Sequence, residues 1–160
     1  MINHDIRPIS AAETHWLRHT ILRPHQAPET LIFPGDEAPD SLHVGAFLKG
    51  RLVGIASVLR QPFPGKPDQS AWQLRGMAIE AEVRRQGYGS ALVRACLDYV
   101  MTQGGGIVWC KGRTPAVPFY QTLGFQAWGE EFVVPVTGPH YVLWREVFPS
   151  KPFPADKKAI

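Results

Sequence analysis

The stretch Ile79-Glu-Ala-Glu-Val-Arg-Arg-Gln-Gly-Tyr-Gly-Ser90 constrains the fold more than any other part of the chain. An apolar strand pattern, Trp72–Ile79, runs into it, and a helical pattern leaves it. Ala91, Leu92, Ala95, Cys96, Tyr99 and Val100 form the stripe of an amphipathic helix reaching from Gly87 to Met101. Gly104-Gly105-Gly106 ends the helix, and Ile107–Cys110 reads as a short apolar strand. A helix set between two strands predicts a right-handed βαβ crossover, with a ligand site beside it. The turn has the parts a pyrophosphate needs. Gly87 and Gly89 let backbone N–H groups approach an anion, the helix N-terminus adds partial positive charge, and Arg84 and Arg85 add full charges. The plainer alternative, a basic turn that only joins strand to helix, suits the short motif taken alone; its place between a strand and an amphipathic helix favours the binding role. Neither the dinucleotide fingerprint nor the nucleotide-triphosphate loop is present.

The rest of the chain supplies the sheet. Ile2–Ile9 alternates loosely as a first strand, and Ser10-x-x-Glu13 is a capping box. Trp16, Leu17, Thr20 and Ile21 continue at helical spacing until Pro24. A proline-rich loop covers residues 23–39. Strands follow at His43–Leu48 and Arg51–Leu59, joined tightly by Lys49-Gly50, with a second loop at residues 61–70. Thr114-Pro115 opens a short helix that Gly124 closes. Phe132–Val136 and His140–Val147 read as a closing antiparallel pair. The order β-α-β-β-β-α-β-α-β-β predicts an α/β fold with a mixed, mostly antiparallel sheet around one βαβ crossover. One domain is expected over residues 1–148, with a mobile tail at 149–160.

Composition excludes several classes. With 160 residues, 44% hydrophobic and 19% charged, the chain is neither disordered nor fibrous. Its Gly and Pro, 15 of each, are dispersed without a period. No apolar run approaches the roughly 20 residues of a membrane span, and the N-terminus lacks a secretory pattern. Neither a membrane nor a nucleic-acid partner is expected, because a net charge of +3 is small and scattered. Cys96 and Cys110 have no CxxC spacing and suit a reducing cytoplasm. No metal is expected: His15 and His19 share a helix face without a third ligand.

Two separated motifs resemble the GNAT superfamily of N-acetyltransferases. Arg84-x-x-Gly87-x-Gly89 matches the family's acetyl-coenzyme A signature. Ala116-x-x-Phe119-Tyr120-x-x-x-Gly124-Phe125 matches the second signature, in the family's order and separation. Leu74–Ala78 and Val108–Cys110 are similar to a bacterial branch of largely unassigned substrate. The resemblance implies a GNAT-like acyl-CoA N-acyltransferase fold and acetyl transfer from acetyl-coenzyme A, without a metal, to a primary amine of a small molecule or peptide. By the same resemblance, backbone groups of Met77, Ala78 and Ile79 pair with the pantetheine arm. Arg84, Arg85, Gln86, Gly87, Tyr88, Gly89 and Ser90 hold the pyrophosphate, Phe119 belongs to the cofactor site, and Tyr120 donates a proton to the departing thiolate. The alternative for Tyr120 is core packing beside Phe119 and Phe125.

Arg113 stands where many members carry Asn. It cannot accept a hydrogen bond, and its alternatives are a contact to coenzyme A phosphates or a surface position. The base is the least marked feature. Gln73 and Arg75 occupy the strand where members often carry Glu, which leaves Glu80, Glu130, Glu131 and His140, with His140 the first to test. The missing carboxylate also admits a non-catalytic acetyl-coenzyme A-binding or sensing module. Asp36-Glu37, in the long early loop, is a candidate for meeting an amine, though a solvated turn is the default reading. A homodimer is expected, since closing strands in this family often pair across subunits.

Overall fold

The computed structural model describes residues 4–150. Seven strands form one sheet in the order β1-β2-β3-β4-β5-β7-β6. They are β1 Asp5–Ile9, β2 Leu42–Leu48, β3 Arg51–Arg60, β4 Ala71–Ile79, β5 Gly106–Arg113, β6 Gln126–Val134 and β7 Gly138–Val147. Among the described residues only β4 and β5 pair in parallel, and helix α2 (Tyr88–Thr102) carries the chain between them. The expected mixed sheet with its crossover is therefore present. The β2–β3 turn holds Lys49 and Gly50 at positive φ, 51° and 78°, the geometry of a primed two-residue hairpin.

Each face of the sheet has its own cover. Leu92, Val93, Cys96, Leu97 and Val100 of α2 are buried against Val44, Val58, Trp72, Leu74 and Val108. On the opposite face Phe63, Ala71, Ile107, Trp109 and Val142 form a second cluster, and Leu17 packs on Ile55 and Ala78. Both cysteines are free and buried. The Ser150 N–H donates to Met101 O at 3.1 Å, so the chain is still tied down beyond Pro149; the remainder of the expected tail lies outside the described residues.

The first helix differs from expectation. Its capping box forms, with Ser10 N–H donating to Glu13 Oε1 at 2.9 Å and Glu13 N–H to Ser10 Oγ at 3.2 Å. Beyond it the segment breaks into a 3-10 turn (Ala12–Thr14), a single α turn, α1 (His15–Leu17), and a widened π turn (Arg18–Leu22). Arg18 enters the interior at the widened turn and is wholly buried, while Trp16 is left 69% exposed instead of joining the core. The Arg18 guanidinium forks onto both Asp36 oxygens, at 2.6 and 3.1 Å, and also donates to Leu31 O and Ser57 Oγ. Asp36 is thus part of an internal clamp between the first helical segment and the long loop. Both its oxygens are engaged, so it is not free to meet an amine.

The closing strands also run longer than expected. β6 begins at Gln126, and its pairing with β7 slips between Trp128 and Phe132, where Gly129, Glu130 and Glu131 bulge outward. Thr114 does not cap the following helix, α3 (Val117–Thr122); its hydroxyl donates to Glu131 Oε2 at 2.7 Å.

Burial alone would raise the Asp36 carboxyl, but hydrogen bonds from Arg18 and the Phe33 N–H, with the Arg18 and His43 charges, hold it below its ordinary value. A depressed carboxyl stabilises the fold above the unfolded value of about 3.9, and that part is lost as pH falls through the folded value. Asp36→Asn is expected to lower the unfolding free energy at pH 7 by about 3–5 kcal/mol, the cost of leaving Arg18 buried and unpaired. Its acid limb should be shallower than that of wild type, measured by urea unfolding between pH 7 and pH 3.

Candidate active site

A groove of about 420 Å³ opens at the N-terminus of α2. Met77, Ile79, Arg84, Arg85, Gly87, Tyr88, Gly89, Ser90 and Phe119 line it, joined by Val83, which sequence reasoning did not single out. The turn is shaped for close approach. Arg85 and Gly87 both take positive φ, 65° and 86°, and Gly87 caps α2 with no side-chain hydrogen bond to the first N–H groups. Those donors and the helix dipole face the groove without an internal partner, and both arginines are exposed beside them. At Gly89 an added Cβ would stand 3.2 Å from Ile79, 3.3 Å from Phe119 and 3.4 Å from Met77. The absent side chain is therefore what keeps the groove open between strand and helix. This cradle fits a pyrophosphate with a narrow apolar arm behind it.

His4 braces the turn from β1's side. Its Nε2 lies 2.6 Å from Gln86 O, and its ring meets Tyr88 edge-on at 4.5 Å. Nothing in the sequence around His4 signalled this. The Gln86 side chain turns away and donates to Glu82 O, so it does not line the groove. Ala78 points to the far face, against Leu17 and Ile55.

The second part of the site is a fork in the sheet. β4 and β5 pair only from Ala71↔Ile107 to Gln73↔Trp109. Beyond Gln73, β4 continues to Ile79 beside β3 alone, and beyond Trp109, β5 continues to Arg113 beside β7 alone. The backbone edges facing each other across the gap have no ladder partner among the described residues. A register shift adds to the divergence: Gly76, at φ 67°, bulges where β4 pairs with β3 between Ile55 and Ser57.

Tyr120 sits at the inner end of this fork, not on the groove wall. Its ring packs against Phe119 at 5.0 Å and Phe125 at 5.6 Å, and an added Cβ at Gly112 would come within 3.0 Å of it. Its hydroxyl neighbours the Cys110 thiol, one residue past the last β4–β5 pair. Burial, with the neighbouring Cys110, pushes the phenol well above its ordinary value, and burial pushes the Cys110 thiol up to about 12. Both groups keep their protons at neutral pH. Cys96 is likewise pushed up to about 12 by burial alone.

The remaining candidates separate from the groove. His140 is buried on β7, on the face opposite α2 with Val142 and tilted over Phe132 at 5.8 Å. Its Nδ1 donates to Gly138 O at 2.8 Å, an arrangement that leaves Nε2 as the basic nitrogen. Arg113 pairs across from it at the exposed end of β5 and is not among the residues lining the groove. Glu80 is held by Arg51, and Glu131 by Thr114. Among the described residues no group of three or more His, Cys, Asp or Glu side chains is placed to hold a metal, and no helix is long and apolar enough to cross a membrane.

Comparison with known proteins agrees with this architecture. The chain is 36% identical over 147 residues to the uncharacterized N-acetyltransferase YitI of Bacillus subtilis, covering 92% of this chain and 99% of that protein. Its fold matches the crystal structure of Escherichia coli ElaA with a TM-score of 0.74 at 19% identity, over 90% of this chain and 100% of the other. An aminoglycoside 6'-N-acetyltransferase solved with coenzyme A superposes with a TM-score of 0.67 at 15% identity, over 95% and 100% of the two chains. Residues 9–125 match the Acetyltransferase (GNAT) family profile, and the chain is a member of that family, an N-acetyltransferase.

Proposed function

We propose that the protein transfers an acetyl group from acetyl-coenzyme A to a primary amine by direct attack of the amine on the thioester. The observation that carries this reading is the pairing of an uncapped, glycine-lined helix N-terminus with a fork in the sheet immediately behind it. The donors at Gly87–Ser90 and the charges of Arg84 and Arg85 suit the pyrophosphate. Met77 and Ile79 wall the pantetheine channel, and the open β4 edge offers N–H and C=O groups in line with it. Acetyl-coenzyme A brings the activated acyl group; the protein contributes orientation, polarisation and proton handling.

When the amine forms the new C–N bond, the C–S bond breaks and the sulfur needs a proton. Tyr120 keeps its proton at neutral pH, and its hydroxyl lies at the inner end of the fork, where the arm would end. It suits the role of proton donor to the leaving thiolate. On the other face His140, with Nε2 free to accept, suits the removal of a proton from the incoming ammonium, directly or through water. Arg113, which does not line the groove, is given no part in phosphate binding.

Two variants test the two halves separately. Gly89→Val strains no left-handed backbone but places methyl groups among Met77, Ile79 and Phe119. It is expected to weaken coenzyme A binding by about tenfold or more in calorimetry while the melting temperature is retained. Unchanged affinity would remove the groove from the reading. Tyr120→Phe keeps the ring and loses the hydroxyl, so kcat should fall by about tenfold to a hundredfold with little change in KM for acetyl-coenzyme A. A wild-type rate with chemistry limiting would leave Tyr120 a packing residue.

A further inference from the structure

We infer that the amine acceptor carries an anionic group, a carboxylate or a phosphate, and that Arg75 and Arg23 hold it on the face opposite α2, beside the mouth of the fork. This rests on the transferase reading above and adds to it the chemical class of acceptor.

Arg75 lies two residues past the last parallel pair of β4 and β5. Trp72 and Leu74 are buried in the α2-side core, so strand alternation directs Arg75 to the other face. There it continues a cross-strand row formed by His43, Ser57 and Arg75. The bulged Gly76 faces the same way, since an added Cβ would lie 3.2 Å from the Phe33 ring and 3.4 Å from Arg18 Nε. Arginines converge on that ring: the guanidinium carbons of Arg18, Arg23 and Arg75 stand 3.9, 4.7 and 5.2 Å from the Phe33 centroid.

The charges of this cluster do not balance. Arg18 takes both oxygens of Asp36, and the Phe33 N–H shares one of them. His43 adds no acceptor for a guanidinium: Ser57 Oγ accepts from Arg18 Nη2 and lies 2.6 Å from His43 Nδ1, while His43 Nε2 lies 2.9 Å from Asp36 O. Arg23 donates to Thr30 O and Arg75 to Pro34 O, neither of them a charge. The Nε atoms of Arg18, itself wholly buried, and of Arg75 are buried with no partner. Burial lowers the Arg75 pKa, Asp36 opposes this, and the Arg18 and Arg23 charges lower it further.

A structural clamp between the first helical segment and the long loop is complete with Arg18 and Asp36. Arg75 and Arg23, both half-buried, are surplus to it, and they bring two further positive charges to the cluster at a cost in repulsion and desolvation. A carboxylate or phosphate seated there would meet the guanidinium N–H groups that Pro34 O and Thr30 O leave over and neutralise that excess. The arginines gather on the single Phe33 ring beside the β4 bulge rather than along a broad strip, which favours a small molecule over an acidic peptide. An amine on the same molecule would then reach the fork from the side opposite the pyrophosphate groove.

The test uses matched amines titrated into coenzyme A-loaded protein by calorimetry: O-phosphoethanolamine against ethanolamine, and β-alanine against its amide. At least one charged member should bind about tenfold to a hundredfold more tightly than its neutral partner, and which pair shows the preference distinguishes phosphate from carboxylate. Arg75→Gln and, separately, Arg23→Gln should abolish the preference, Arg75→Lys should restore part of it, and Gly89→Val should keep it when titrated without coenzyme A. Equal binding within both pairs, absence of binding included, would overturn the proposal, as would a preference that survives both glutamine variants. If coenzyme A itself fails to bind in the loading step, the transferase reading falls instead; the anion preference is then judged on the unloaded protein.

Discussion

Strand β4 cannot satisfy two neighbours along its whole length, and the rest of the site follows from that. Through Gln73 it is a central parallel strand with β5 at its side; from Leu74 onward it has only β3. The bulge at Gly76 turns the second half away, and the left-handed φ there is open to glycine at little cost. Unpaired backbone edges are normally a liability within a sheet. Here they lie along the gap between β4 and β5, where the proposed reaction seats the acyl arm in place of the missing ladder.

The two sides of the gap differ in chemistry. On the α2 side positive potential comes mostly from the backbone, through the uncapped N–H groups of the turn and the helix dipole, with Arg84 and Arg85 at the rim. On the other side it comes from side chains packed around Phe33. Between them the interior is apolar, and its titratable groups, Tyr120 and Cys110, are held in their neutral forms by burial. A proton can therefore be held at the inner end of the fork without a buried charge.

Much of this was legible in the sequence because it rests on local rules. Glycine spacing, a strand entering and an amphipathic helix leaving located the groove, and of its ten lining residues all but Val83 were among the cofactor-site candidates named from the sequence. The hairpin at Lys49-Gly50 and the capping box at Ser10 were readable for the same reason. The features missed depend on partners distant in sequence. Arg18 looks like a surface residue of an amphipathic helix until Asp36, eighteen positions away, draws it inward and widens the turn. His4 and Gln86 are eighty-two residues apart. The Arg75 cluster gathers residues from the first helical segment, the long loop and β4, and spacing within any one of them carries no sign of the others.

The bulge in β6 has a consequence at the scale of the whole sheet. Gly129, Glu130 and Glu131 interrupt the pairing with β7 on the outermost strand, and two carboxylates project there without a regular ladder behind them. At the opposite margin β1 carries Pro8, which lacks an N–H, flanked by the Asp5–Arg7 ion pair. A sheet bounded in this way offers a passing extended chain little continuous backbone to dock against on either side. The open edge at the fork lies between neighbouring strands, where a ligand can reach it and a foreign strand cannot easily follow.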